Sequence, residues 1–401
     1  MAHRRSDFLI IGGGIVGVAI ATALAEKYSA ASIVVIEKEK APGFHASGRN
    51  SGVLHAGFYY TADSLKARFT RNGNQELTAF CKAKGLALNA CGKLVVAKDE
   101  QEDAVLDILL ERGLRNGVSL EMLSVGEAQK IEPSVKTWKR ALYSPATAVV
   151  DPLQVLSALV DEAVAKGVVF EYGVKYLGLG GDAVDTSIGA FHAGYVVNTA
   201  GLYADKVARD FGFSTDYFLL PFKGVYLYGS ERAVPLKTNI YPVPDLRNPF
   251  LGVHFTLTVQ GRIKIGPTAI PAFWPEQYGG LQGFVFQEFL TTSGRHLRLM
   301  LAGDAMFREL AIEEMKKYSR GYLVDQATML ADGVRKGDFK QWGRPGIRAQ
   351  LFNSKAKKLE MDFVIEGDNR SMHVLNAISP AFTCSLPFSR YVVDQISQQL
   401  A

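Results

Sequence analysis

Cysteine is scarce: Cys81, Cys91 and Cys384 are the only three in 401 residues, scattered and never in C-x-x-C spacing. That argues against a disulfide framework and a zinc site, so no metal is expected, and it fits a reducing compartment. Long apolar runs are missing too. No stretch reaches the roughly 18 residues of a membrane span, so the sequence predicts no transmembrane segment and leaves only peripheral membrane contact open. Charge of one sign is also lacking, since 45 Lys and Arg stand against 40 Asp and Glu. Small basic clusters such as Lys355, Lys357 and Lys358 read as solvated faces, and no nucleic-acid partner is expected. The net charge of +5 suits a small anionic ligand. His3-Arg4-Arg5 ahead of apolar residues imitates a signal peptide, but the apolar segment is a glycine turn with no cleavage region. A cytoplasmic location is therefore expected, with room for a peripheral position at the inner face of a membrane.

What is present begins at Asp7. Phe8 to Ile11 form an apolar run suited to a buried strand, followed by Gly12, Gly14 and Gly17 in G-x-G-x-x-G spacing. A helix is predicted from Ile15 to Tyr28, then a second strand, Ile33 to Ile36, ending in Glu37. This is the order of a dinucleotide-binding unit: glycines for the turn, a helix amino end for the pyrophosphate and a carboxylate for the ribose hydroxyl. FAD and NAD both have that ribose, so the motif leaves the dinucleotide open. The next segment, Lys38 to Tyr60, is rich in Gly, Ser, Asn and His and reads as a ligand-binding loop, with His45, Arg49, Asn50, Ser51 and His55 as its polar candidates.

Helices are predicted over Leu65 to Lys84, Glu100 to Asn116, Leu123 to Ile131 and Pro152 to Lys166. Strands are predicted at Leu94 to Ala97, Val168 to Tyr172, Val174 to Leu179 and Tyr195 to Asn198. The last opens into Thr199-Ala200-Gly201, a second close approach of backbone to ligand. Short alternating runs between Leu219 and Ile270 predict an antiparallel sheet; helical patterns fill Phe286 to Gly337, and Ser379-Pro380 opens a final helix. The expected class is α/β with an α+β part. A discontinuous nucleotide-binding domain (residues 1–81, 149–215 and 340–401) is interleaved with an antiparallel-sheet substrate domain (82–148 and 216–339).

Several segments together carry a resemblance. GGGIVG at Gly12 to Gly17, EKE at Glu37 to Glu39, SGRNSGVLHAGFYY at Ser47 to Tyr60, NTAGLYAD at Asn198 to Asp205, GVHFT at Gly252 to Thr256 and GIRAQ at Gly346 to Gln350 resemble the FAD-dependent D-amino-acid oxidase superfamily. Within it, the L-2-hydroxyglutarate dehydrogenases (oxidases) are the group the chain resembles most. The resemblance implies a Rossmann-like fold and a non-covalent FAD held by Gly12, Gly14, Gly17, Glu37, Lys38, Ser47, Arg49, Asn50, Ser51, Gly201 and Gly346. The helix start at Ser379, Pro380 and Ala381 would face the flavin. It implies oxidation of a 2-hydroxy acid to a 2-oxo acid by hydride transfer to flavin N5, with oxygen or a quinone as final acceptor. His254 is the first candidate for the base and His55 the second. Arg348 and Lys223, with Tyr59, Tyr60 and Tyr226 as hydroxyl donors, would hold the substrate, and Arg49 is a further cation.

Two departures bear on the substrate. Arg49 stands where the family commonly has His, and Leu257 to Gln260 replaces an Arg followed by an acid. An amino-acid or amine oxidase of the same superfamily is the alternative, and a flavoprotein that has lost its catalysis is the third reading.

Overall fold

The computed structural model describes residues 4–246, 252–302 and 305–401. The chain divides into two compact units, Met1–Asn50 with Pro152–Leu219 and Ala349–Ala401, and Ser51–Asp151 with Leu220–Arg348. Residues 51–81, grouped by the sequence with the nucleotide-binding part, fall in the second unit. Local anchoring accounts for this: in the helix Leu65–Ala83, Asn74 donates to the carbonyls of Leu54 and Ala146, and Asn116 donates to those of Gly57 and Tyr60.

In the first unit the strands run in the order Tyr176–Gly180, Ala183–Thr186, Gly189–Asn198, Arg4–Ile11, Ile33–Glu37 and Val169–Tyr172. Ser371–Val374 adds a further strand parallel to Gly189–Asn198. The central three are parallel, with Leu9, Ile10 and Val35 fully buried, as an apolar run covered on both faces requires. The helix Ile15–Lys27 is buried from Ile15 to Leu24 because helices Pro152–Ala165 and Ala381–Leu400 both pack on it. The Ala183–Thr186 strand, which sequence patterning missed, forms a hairpin with Tyr176–Gly180.

In the second unit eight strands form a sheet in the order Phe339–Trp342, Leu227–Gly229, Ile263–Gly266, His254–Leu257, Asn239–Pro242, Lys93–Val96, Arg140–Ser144 and Glu121–Ser124. It is not wholly antiparallel as expected: Asn239–Pro242 runs parallel to Lys93–Val96, joining the early and late segments in one sheet. Leu123 and Ser124, predicted to open a helix, instead end the strand Glu121–Ser124. The helix begins at Val125, where Ser124 and Glu127 close a capping box.

Alternation along these strands gives the sheet two unlike faces. Leu94, Val96, Ile240, Phe255, Leu257, Ile263 and Ile265 share one apolar cluster with Leu323, Val324 and Ala327 of the helix Arg320–Thr328. The residues between them, Lys93, Asn239, Tyr241, His254, Thr256 and Lys264, lie on the other face, and all are buried.

Candidate active site

In the first unit, the turn after Arg4–Ile11 is shaped to admit a dinucleotide. Gly12 has φ +110°, and a Cβ there would sit 2.5 Å from the Thr199 carbonyl oxygen. A Cβ on Gly17 would sit 2.1 Å from the Gly12 carbonyl oxygen, so any side chain would push the helix off the turn. The Thr199 hydroxyl donates to the carbonyls of Ile11 and Gly12, both at 3.0 Å, fixing the second loop against the first. The Glu37 carboxylate accepts from Gly13 N–H and from Glu39 N–H, both at 2.9 Å, so it lies directly at the glycine turn. The helix Ile15–Lys27 has no acidic residue in its first turn, and its positive end is left for an anion. Ser47 Oγ accepts from Ile15 N–H at 2.9 Å, placing the ligand loop at that helix end.

The other cofactor candidates of this unit sit around the same elements. Asn50 donates to the Ser47 carbonyl, Arg49 donates to the Phe44 carbonyl, and the Lys38 ammonium pairs with Glu39. Gly201, with φ +56°, starts a short 3-10 turn after the Thr199 loop. Ser379 and Pro380 precede the helix Ala381–Leu400, whose first turn also lacks an acid.

In the second unit the buried polar face gathers the catalytic candidates. His254 Nδ1 lies 2.8 Å from the Gly252 carbonyl oxygen. A carbonyl only accepts, so Nδ1 carries the proton and Nε2 keeps its lone pair. The ring stacks on Tyr241 with centroids 3.7 Å apart. Burial drives its pKa down to about 3, against the Gly252 hydrogen bond, and the positive charges of Lys93, Lys264 and Lys317 lower it further. His55 is also pushed well below the usual histidine value, first by burial and then by its neighbours Lys93, His254 and Arg348. Both imidazoles are neutral and belong to one electrostatic group.

Arg348 acts electrostatically on His55 of that group. Burial opposes its charge, while Tyr60, Tyr226 and Glu314 favour it. Ser51, at the start of this unit, accepts from Lys264 Nζ at 2.9 Å through its carbonyl. The same ammonium lies 4.7 Å from the Tyr226 ring centroid, and burial lowers its pKa to about 8. Tyr59 Oη is buried without a hydrogen-bond partner. Gly346 begins the strand that carries Arg348. Lys223 lies on the strand Tyr217–Gly224, opposite Ile270, and burial lowers the pKa of its amine. Lys93, Lys264 and Tyr241 were not singled out in the sequence, although each sits in an alternating strand whose other face is apolar.

The family model for FAD dependent oxidoreductases matches residues 7–393. The chain belongs to that family. As a member of the FAD dependent oxidoreductases it is similar to the human mitochondrial L-2-hydroxyglutarate dehydrogenase, with 36% identity over 98% of this chain and 89% of that protein. It is 33% identical to the Escherichia coli K12 L-2-hydroxyglutarate dehydrogenase, over 98% of this chain and 94% of that protein. Among solved structures, the L-α-glycerophosphate oxidase of Mycoplasma pneumoniae, reduced and with FAD bound, superposes with a TM-score of 0.77 at 20% identity, covering 98% and 95% of the two chains. The Geobacillus kaustophilus glycine oxidase follows at 0.72 and 19%, covering 99% and 95%. These two establish the shared fold. The cofactor of this oxidoreductase family is FAD, and the glycine turn, Glu37 and the open helix end described above fit its ADP half.

Proposed function

We propose that this oxidoreductase is an L-2-hydroxyglutarate dehydrogenase, converting L-2-hydroxyglutarate to 2-oxoglutarate. The observation that carries the reading is His254, a neutral imidazole with a lone pair on Nε2, buried among cations on one sheet face. Such surroundings disfavour a proton on the ring and attract a dianion. The names of relatives at 33–36% identity across nearly the whole chain support the same substrate.

FAD, when bound, supplies the hydride acceptor. His254 Nε2 takes the proton of the substrate hydroxyl, because an alkoxide expels hydride from C2 far more readily than an alcohol does. His55 lies in the same charge group, where it orients the hydroxyl. Arg348 grips a carboxylate through its planar fork, with Tyr60 and Tyr226 as its hydroxyl neighbours. Gly12, Gly14, Gly17, Glu37, Ser47 and the start of the helix Ala381–Leu400 hold the cofactor.

The test is anaerobic bleaching of the visible flavin band of the purified protein by a panel of 2-hydroxy acids and amino acids. L-2-Hydroxyglutarate should bleach it rapidly, and bleaching by an amino acid in its place would sink the assignment in favour of an amine oxidase.

Electrons leave to a quinone or to oxygen. No helix among the described residues is long and apolar enough to cross a membrane. The helix Phe286–Ala302 nevertheless exposes Phe286, Leu290, Leu297 and Leu301 along one stripe, which supports peripheral contact at a membrane surface. Flotation with anionic vesicles should carry the protein upward; protein that stays at the bottom of the gradient argues for oxygen or a water-soluble acceptor.

A further inference from the structure

Lys93 occupies the start of a central strand and has no exposed surface. Its Nζ has no hydrogen-bond partner. Three aromatic rings surround it, with centroids 4.5 Å away for Phe58, 4.5 Å for Tyr59 and 4.8 Å for Tyr241. Ring faces attract a cation but replace only part of its hydration. A buried ammonium without a counter-charge destabilises a fold, and a methionine of similar volume would fill the same space without that cost. Packing therefore gives no reason for a lysine here.

The neighbouring cations have their oxygens. Lys264 donates to the Ser51 carbonyl, and Lys317 pairs with Glu314. Lys93 does not, and beside it the Tyr59 hydroxyl is a second buried donor without a partner. An ammonium and a hydroxyl on adjoining side chains match the two oxygens of a carboxylate. The charge of Lys93 is felt by both His55 and His254, so a carboxylate seated there belongs to the molecule on which those histidines act.

We propose that Lys93, with the Tyr59 hydroxyl, seats one of the two substrate carboxylates and so selects dicarboxylic over monocarboxylic 2-hydroxy acids. The inference rests on the reading above in taking the substrate to be a 2-hydroxy dicarboxylate. It supplies a cation for the carboxylate that the absent Arg beyond Leu257 leaves unserved.

The test uses the FAD-loaded enzyme and its Lys93→Met, Lys93→Arg and Tyr59→Phe variants. Binding of 2-oxoglutarate and 2-oxobutyrate is followed by flavin difference spectra, and turnover is measured with L-2-hydroxyglutarate and L-2-hydroxybutyrate. For Lys93→Met, 2-oxoglutarate binding should weaken about 10- to 100-fold, the cost of losing a charged hydrogen bond. Binding of 2-oxobutyrate should stay within about twofold, so that the preference for the dicarboxylate collapses, and Lys93→Arg should restore part of it. Tyr59→Phe should show a smaller loss in the same direction. The Lys93→Met protein should melt no lower than the parent, because it loses an unpaired buried charge. Equal losses for both ligands, or a lower melting temperature with the preference intact, would show Lys93 to be structural and overturn the proposal. If the parent ignores 2-oxoglutarate but takes another dicarboxylate, and Lys93→Met loses that ligand selectively, the substrate reading fails while the role of Lys93 stands. A parent that prefers monocarboxylates throughout overturns the role as well.

Discussion

Replacing His254 by Gln is the most informative perturbation of the chemistry. The substitution keeps a polar side chain of similar reach on the buried face but removes the group able to take a proton. A positioned general base contributes about 10²- to 10⁴-fold to rate, or roughly 3–5 kcal/mol of barrier. The structure favours the upper half of that range. The imidazole is held from both sides, by the Gly252 carbonyl at 2.8 Å and by the Tyr241 ring at 3.7 Å, so little of its effect is lost to misorientation. Flavin reduction by L-2-hydroxyglutarate should therefore slow by about 10³-fold in anaerobic stopped flow, while the binding of 2-oxoglutarate changes by less than about threefold. A loss below about tenfold would refute the assignment of the base. If the same variant still oxidised an amine at the parent rate, the reaction class would fall too, because an unprotonated amine needs no base to release hydride. His55→Gln run beside it separates the two imidazoles: an orienting His55 costs less than His254.

Two further outcomes follow from the geometry. Gly17→Ala places a methyl group 2.1 Å from the Gly12 carbonyl oxygen and 2.6 Å from Thr199 Oγ1, which forces backbone to move. Overpacking of that kind costs about 1–3 kcal/mol, so the variant should leave gel filtration with less than a tenth of its flavin by absorbance ratio; a fully yellow protein would contradict the close approach. For pH, burial sets the Lys93 ammonium at about 7 and that of Lys264 at about 8, both below the ordinary lysine value. Each is charged below its value and loses charge above it, so the KM for a dicarboxylate should be flat from pH 5.5 to about 7 and climb beyond; a KM that climbs on acidification instead would place the binding cations elsewhere.

The opening of the chain was legible because its information is local. Strand, glycine turn, helix, second strand and Glu37 lie within a few turns of chain, and each is fixed by its own residues: φ +110° at Gly12, the crowding at Gly17, the carboxylate at the end of Ile33–Glu37. The sheet of the second unit was harder because its pairing is not local. Lys93–Val96 lies beside Asn239–Pro242, nearly 150 residues away, and no turn specifies that parallel register. His254 and Arg348 were found through their motifs, whereas Lys93 and Lys264 were passed over for a physical reason. Alternation such as His254-Phe255-Thr256-Leu257 or Ile263-Lys264-Ile265 is the pattern of a strand with one face in water, and lysine is rarely buried. Here the polar face is buried too, which sequence period alone does not reveal.

That buried polar face also explains how a histidine with a pKa of about 3 can serve as a base near neutrality. Burial and the surrounding ammonium groups make protonation of His254 unfavourable, and its lone pair stays available at any working pH. A base so reluctant would be a poor proton acceptor if nothing changed on binding. The arriving dianion changes the sign of the local field. Each carboxylate raises the proton affinity of His254, the direction needed for it to accept a proton from an alcohol that is losing hydride. A monocarboxylic acid brings only one of these charges. Discrimination on this face thus acts twice, once in binding and again in the strength of the base, and a substrate lacking the second carboxylate should lose turnover as well as affinity.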